Sequence, residues 1–159
     1  MVAGCFTIER TSTVSMERLC KAVALDGHNL LPKVLPEYYV SGEIVENSGA
    51  GTIRKFKFTP AVKAASFIKD RVEVDQENHL VKYVIIDGGL IGKRLKSHVL
   101  EVKYEASDNG GCVVKTKIEY ETLDDKPLSE EEVAKMNEGV VQSTKAVEGY
   151  LLANPTAYA

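Results

Sequence analysis

The alternation of apolar and polar residues changes along the chain, and these changes predict where its elements lie. Near the N-terminus, Phe6 and Ile8 alternate with polar neighbours within CFTIERTSTV, which predicts a β-strand. The segment SMERLCKAVA then places apolar residues at helical spacing behind Ser15, a residue type that caps helices. A second short helix is predicted over DGHNLLPKVLP, ending at Pro36.

The central part of the chain, from Tyr38 to Glu121, has a period of two that is broken by turn signals. On each predicted strand, alternate residues are largely apolar on one face and polar on the other. This one-sided pattern is typical of an antiparallel sheet with one face in water. The six strands predicted here are YYVSGEIVE, TIRKFKFTP, AASFIKDRVEVD, HLVKYVIID, KRLKSHVLEVKYE and CVVKTKIEYE.

The last part of the chain predicts one long helix. Ser129 and Glu132 have the spacing of a capping box, and Asn154-Pro155 ends the helical pattern. One apolar stripe runs along this helix and comprises Val133, Met136, Val140, Val141, Thr144, Val147 and Leu151. Strands cluster together and helices stand apart, so the predicted class is α+β, in a single domain over residues 1–159.

Composition and charge narrow the function classes. The chain has 159 residues, of which 44% are hydrophobic, and a net charge of −3. An acidic balance disfavours nucleic acid as a dedicated partner, because nucleic-acid-binding domains usually carry a basic face. No apolar run approaches the roughly 18 residues that a membrane span needs. Glu9 and Arg10 interrupt the region where a signal peptide would be apolar, so we expect a cytoplasmic protein that does not bind membranes.

Cysteine and histidine are few and widely spaced. There is no Cys-x-x-Cys pair, and the histidines lack ligand spacing. We therefore expect reduced, mostly buried thiols, with neither a structural metal nor a cofactor. The residues concerned are Cys5, Cys20, Cys112, His28, His79 and His98.

The stretch ENSGAGTIRKF contains a short glycine-rich loop. Its candidate residues are Asn47, Ser48, Gly49, Ala50 and Gly51. A nucleotide-binding P-loop requires a Gly-Lys-Ser/Thr ending and a following helix, whereas a strand follows here. The pattern favours a turn between two strands that uses glycine for a positive φ angle. A nest of backbone amides for an anion stays open as the alternative.

Five stretches together resemble the plant class-10 pathogenesis-related proteins, the family of the major birch pollen allergen. They are LDGHNLLPKVLP, GAGTIRKFKF, IKDRVEVD, IIDGGLIG and AVEGYLLANPTAYA, and the last is most similar to monocot members. The resemblance implies a helix-grip fold, in which a seven-stranded antiparallel sheet wraps around the long C-terminal helix above two short helices. It also implies a large cavity between sheet and helix. Members of this family bind cytokinins, flavonoids and sterol-like metabolites.

The leading hypothesis is a plant defence protein that binds a small amphipathic metabolite in this cavity. Strand alternation places one set of mostly apolar side chains on the inner face, as ligand pockets require. The alternative for each residue is ordinary core packing. The predicted ligand-binding residues are Phe58, Tyr83, Ile85, His98, Leu100, Val102 and Tyr120 from strands, and Met136 and Val140 from the helix. We expect a monomer.

A weak ribonuclease is the alternative function that the resemblance suggests. Its candidate catalytic residues are Arg54, Lys55, Glu148 and Tyr150. Lys96 stands where the family's strand glutamate is usual, which removes one carboxylate. Residues two apart on a helix do not share a face, so no acid–base pair is evident and Glu148 is expected to be a solvated surface residue.

Two further functions of the fold are disfavoured. A specialised-metabolism enzyme resembling norcoclaurine synthase would need an inward lysine, but alternation turns Lys115 and Lys117 outward and Thr116 and Ile118 inward. The loop DGGLIGKRL is unlike the gates of the related hormone receptors that regulate phosphatases.

Overall fold

The computed structural model describes residues 1–49 and 51–159. One antiparallel sheet of seven strands forms the centre of the fold, and its order is β1-β7-β6-β5-β4-β3-β2. The strands are β1 (Ala3–Ser12), β2 (Tyr39–Ser48), β3 (Gly51–Phe58), β4 (Phe67–Asp75), β5 (Leu80–Gly88), β6 (Leu95–Ala106) and β7 (Cys112–Thr122). The helices are α1 (Met16–Cys20), a π-helical turn (Lys21–Leu25), α2 (Gly27–Val34) and α3 (Glu130–Ala153). The predicted helix-grip class is confirmed.

The register of the strands aligns the inner-face residues in rows across the sheet. One row runs Val72, Tyr83, Leu100, Ile118 and Phe6 from β4 to β1. Because side chains in such a row point to the same face, each row forms a band of the inner surface. The predicted alternation on the central strands therefore holds in the structure.

The long helix α3 is fastened near both of its ends. At its start, Ser129 and Glu132 form the predicted capping box, and Arg94 donates to both carboxylate oxygens of Glu132. Towards its end, Val147 and Leu151 are buried. Arg18 of α1 donates to the main-chain oxygen of Leu151 in the last turn of α3 and to those of Asn154 and Ala157 beyond it. The Leu151 carbonyl is one of those that a helix end leaves without an intrahelical partner.

Both short helices pack against α3, and α2 also packs against strand β2. Gly42 allows the close approach of α2 to the sheet, since a Cβ atom there would lie 2.3 Å from the main-chain oxygen of His28. Within the described residues, no helix combines the length and apolar character that crossing a membrane demands.

Candidate functional site

A cavity of about 520 Å³ lies between the inner face of the sheet and α3. Its walls are mostly apolar and include Leu19, Val23, Ile68, Val114 and Ile118. The lining residues that are also exposed belong to the β3–β4 connection and to α3, for example Ala61 and Glu138, so the cavity opens to solvent there. The volume is within the range of roughly 300–1,000 Å³ typical of small-molecule sites.

Eight of the nine residues that were predicted to bind ligand line this cavity. They are Phe58, Tyr83, Ile85, His98, Leu100, Val102, Met136 and Val140. The ninth, Tyr120, does not line it. Its ring leans over the neighbouring strand, where a Cβ atom on Gly4 would lie only 2.3 Å from the tyrosine ring. Tyr120 has the inward parity that was expected. Because Gly4 has no side chain, the Tyr120 ring lies over Gly4 instead of lining the cavity.

A buried ion pair lies beside the cavity. The Arg54 guanidinium donates two hydrogen bonds to Asp70, at 3.0 and 2.8 Å, and a third to the main-chain oxygen of Val23. Gly27 leaves room for it, because a Cβ atom there would lie 2.7 Å from the guanidinium. Burial opposes the charged form of Arg54, but the bonds to Asp70 outweigh that and raise its pKa. Asp70 itself lines the cavity, so the pair presents a carboxylate to its interior.

Tyr83 brings an unsatisfied hydroxyl to the same part of the cavity. Its ring lies 5.4 Å from the Arg54 guanidinium, and desolvation raises the pKa of the phenol. In the part of the chain that the structure describes, the buried Tyr83 Oη has no hydrogen-bond partner. Leaving such a group unpaired costs about 1–3 kcal/mol. A ligand that hydrogen-bonds to Tyr83 would remove this cost.

His98 contributes an imidazole to the cavity wall. Desolvation lowers its pKa to about 4, so the ring is neutral at physiological pH. A neutral imidazole offers one donor and one acceptor. His98 thus adds a further polar group to the mostly apolar wall.

The four candidate ribonuclease residues do not form one catalytic group. Arg54 is buried against Asp70 and is not available to RNA, while Lys55 lies over the Phe67 ring. Glu148 pairs with Arg10 of β1 at 3.2 Å, and its side chain is only 17% exposed, so the expectation of a solvated residue was wrong. Tyr150 accepts a hydrogen bond from Lys33 of α2 instead.

The lysines considered for amine condensation lie on the outer face. Lys115 pairs with Glu105, and Lys117 pairs with Glu101 and Glu119. Thr116, between them, lines the cavity. No group of three or more histidine, cysteine or acidic residues capable of holding a metal ion occurs among residues 1–49 and 51–159.

The glycine-rich loop joins two antiparallel strands, as the sequence pattern favoured. Gly51 has φ of +135°, and Asn47 accepts a hydrogen bond from the Thr52 hydroxyl. Ala50 and the side chain of Ser48, which were also candidates, lie outside the described residues. Since β3 follows directly, this segment offers no helix N-terminus to a phosphate.

Comparisons with known proteins agree with this architecture. The Pathogenesis-related protein Bet v 1 family matches residues 1–154. Pathogenesis-related protein 1 from Asparagus officinalis, a monocot, is 39% identical over 160 residues that cover 99% of each chain. The crystal structure of Ara h 8.0201 is similar at a TM-score of 0.84 and 32% identity, covering 96% of this chain and 100% of that one.

A more distant likeness concerns an enzyme. Norcoclaurine synthase from Thalictrum flavum, solved in complex with dopamine and hydroxybenzaldehyde, has a TM-score of 0.73 and 21% identity. The match covers 96% of this chain and 88% of that one. At this identity the likeness shows a shared fold alone.

Proposed function

Because the chain belongs to the Pathogenesis-related protein Bet v 1 family, we propose that it is a defence-related carrier of small amphipathic metabolites. Residues 1–159 act as one ligand-binding domain, and the cavity holds the ligand. The observation that supports this proposal best is the cavity itself, whose mostly apolar walls surround a buried tyrosine hydroxyl with no partner in the described chain.

The size of the cavity favours a ligand of several rings. An apolar cavity of about 150 Å³ holds one benzene molecule. The 520 Å³ available here corresponds to about three such volumes. Flavonoid- and sterol-like skeletons, or a cytokinin with its side chain, have molecular volumes of about this size.

The polar groups of the cavity favour an uncharged ligand with hydroxyl or N–H groups. Asp70 and Arg54 already neutralise each other, and the other charged lining residues, Lys135 and Glu138, are exposed on α3, so a charged ligand would bring a charge into the interior without a buried counterion. A ligand hydroxyl can instead bond to Tyr83 Oη or donate to Asp70, while His98 offers a further contact. Affinity comes mainly from apolar burial, and orientation comes from these few polar atoms.

Displacement of a fluorescent probe tests the proposal. The neutral dye Nile red should bind the native protein saturably, and a neutral flavanone with free hydroxyls should displace it. Partly unfolded protein also binds this probe, so cooperative unfolding must be shown for the same sample. Absence of saturable binding by both compounds would contradict the carrier proposal.

A further inference from the structure

A second, smaller pocket lies outside the main cavity. It has a volume of about 220 Å³ and lies between α1, the π-helical turn and the β4–β5 hairpin. Its walls are formed largely by apolar side chains, and Tyr104 separates it from the main cavity by lining both. The apolar wall residues are Met16, Leu25, Val74, Leu80, Val81 and Tyr104.

Two unusual backbone features shape this pocket. Asp26 N–H donates to the main-chain oxygen of Lys21, five residues earlier, so the helix widens where Lys21 and Leu25 line the pocket. Such π-helical turns are rare and frequently occur at functional sites. Opposite, His79 has a left-handed backbone with φ of 53°, which is uncommon for a residue other than glycine. Both features lie in the pocket wall.

The hairpin side of the pocket is held in place by hydrogen bonds within the chain. Asp75 accepts hydrogen bonds from the main-chain N–H and the side-chain amide of Asn78, which stabilises the turn. The main-chain oxygen of His79 accepts a hydrogen bond from Tyr104 N–H at 2.9 Å. A preformed wall of this kind lowers the ordering cost that binding would otherwise carry.

The rim indicates the chemistry of the occupant. Leu25 and Val74 are 53% and 38% exposed, so apolar surface continues to the mouth. Glu17 and Asp75 bring two carboxylates, whereas Lys21 Nζ donates to the main-chain oxygen of Ala159. An anion is therefore disfavoured, and a hydrogen-bond donor finds acceptors. By comparison with the benzene cavity, the volume suits about nine non-hydrogen atoms.

We propose that this pocket is a second binding site, for a small neutral aromatic compound that carries one N–H or O–H donor. Indole has this size and chemistry and serves as the probe. The site is separate from the main cavity, so this proposal stands even where the main cavity binds no flavanone.

Amide and methyl NMR of the full chain during an indole titration tests it. Saturable shifts are expected at Val74, Leu80 and Val81, and indole-3-carboxylate should bind at least about tenfold more weakly. Val74→Phe fills the pocket and should weaken indole binding about tenfold or more. Ile86→Phe is the matched control, because Ile86 is 37% exposed and does not line the pocket. If Val74→Phe does not unfold cooperatively, Leu25→Trp is used in its place as the pocket-filling variant.

Cysteine alkylation gives an independent readout. Cys20 lines the pocket, whereas Cys5 is exposed on β1 and serves as an internal reference. Indole should slow alkylation of Cys20 and leave Cys5 unchanged. The proposal is overturned by non-saturating shifts, by shifts confined to main-cavity residues such as Leu100 and Met136, by unchanged affinity in the pocket-filling variant, or by unprotected Cys20.

Discussion

At the scale of single residues, Tyr83 and His98 are polar groups that the fold alone does not need. Tyr83 Oη is buried with no partner among the described residues, and the imidazole of His98 is desolvated against apolar walls. The unpaired Tyr83 hydroxyl lowers the stability of the protein, and the burial of His98 lowers it below about pH 6.5, where the unfolded imidazole is charged. Their presence is understandable where a ligand supplies the missing contacts.

Replacement of Tyr83 by phenylalanine separates binding from stability. Tyr83→Phe removes the unpaired hydroxyl, so the ligand-free protein should gain about 1–3 kcal/mol in unfolding free energy. The same change should weaken binding of a hydroxylated flavanone by a factor of about 2–10, which corresponds to one net hydrogen bond. Denaturant unfolding and calorimetry measure the two effects. Tyr120→Phe is the control, because Tyr120 lies outside the cavity; a Tyr83 variant that is less stable and binds equally well contradicts this role.

His98 should make stability depend on pH. Its pKa falls from 6.5 to about 4 in the folded protein because burial disfavours the imidazolium. Between these values the unfolded chain binds more protons, so stability is full above about pH 6.5 and declines as the pH falls towards 4. The loss from this residue amounts to about 3 kcal/mol. Urea unfolding of wild type and His98→Leu across this range should show a shallower decline in the variant; parallel curves would exclude this explanation.

Strand alternation predicted most of the cavity-lining residues, and its failures have local causes. Tyr120 has the predicted parity, but the pattern on one strand does not reveal that Gly4 lies beside it on β1. The pair of Arg54 and Asp70 was missed, although both have inward parity on predicted strands. Opposite charges at inward positions of neighbouring strands were the available signal, but the ribonuclease hypothesis assigned Arg54 a different role.

At the scale of elements, α3 is attached at its ends and borders the cavity between them. Arg94 holds Glu132 near its start, and Arg10 holds Glu148 in its last third. Between these contacts, Met136, Val140 and Thr144 line the cavity. Because these polar contacts hold α3 near its ends, the middle segment does not have to pack tightly against the sheet to keep the helix in place.

Glu148 is therefore expected to support the attachment of α3 and not RNA cleavage. Glu148→Gln removes the charge that Arg10 faces, and should destabilise the fold by about 1 kcal/mol. RNA cleavage by protein freed of trace nucleases should be equal in wild type and variant. A loss of about 100-fold or more, the scale of a general acid–base group, would restore the ribonuclease interpretation.

Element boundaries could be predicted from the sequence where a local motif, such as a helix cap, defines them. The capping box at Ser129 and Glu132 predicted the start of α3, because its hydrogen bonds involve only residues three apart. The π-helical turn was not foreseen, since the apolar spacing in SMERLCKAVA also fits an uninterrupted α-helix. The extra residue of this turn leaves no mark on the spacing of apolar residues along the sequence.

At the scale of the whole molecule, the central question is whether sheet and helix enclose a binding space or a core. Strand alternation in the sequence cannot distinguish a cavity from a core, because an inward residue is apolar in either. The separation of α3 from the sheet depends on strand curvature and on the contacts at the ends of the helix. The resemblance of the five sequence stretches to a known family implied the cavity, and the 520 Å³ volume agrees with it.

Calorimetric titration of a neutral flavanone into cavity-filling variants tests the carrier function most directly. Val140→Phe and Val102→Phe add side-chain volume to opposite walls of the cavity, and Val141→Phe is the control on α3 because Val141 does not line it. We expect both cavity variants to keep their unfolding free energy within about 1 kcal/mol of wild type and to lose flavanone binding, with Val141→Phe binding normally. Overpacking of a filled core costs about 1–3 kcal/mol or more. Strong destabilisation of both variants, or unchanged affinity in both, would contradict the account of this protein as a carrier.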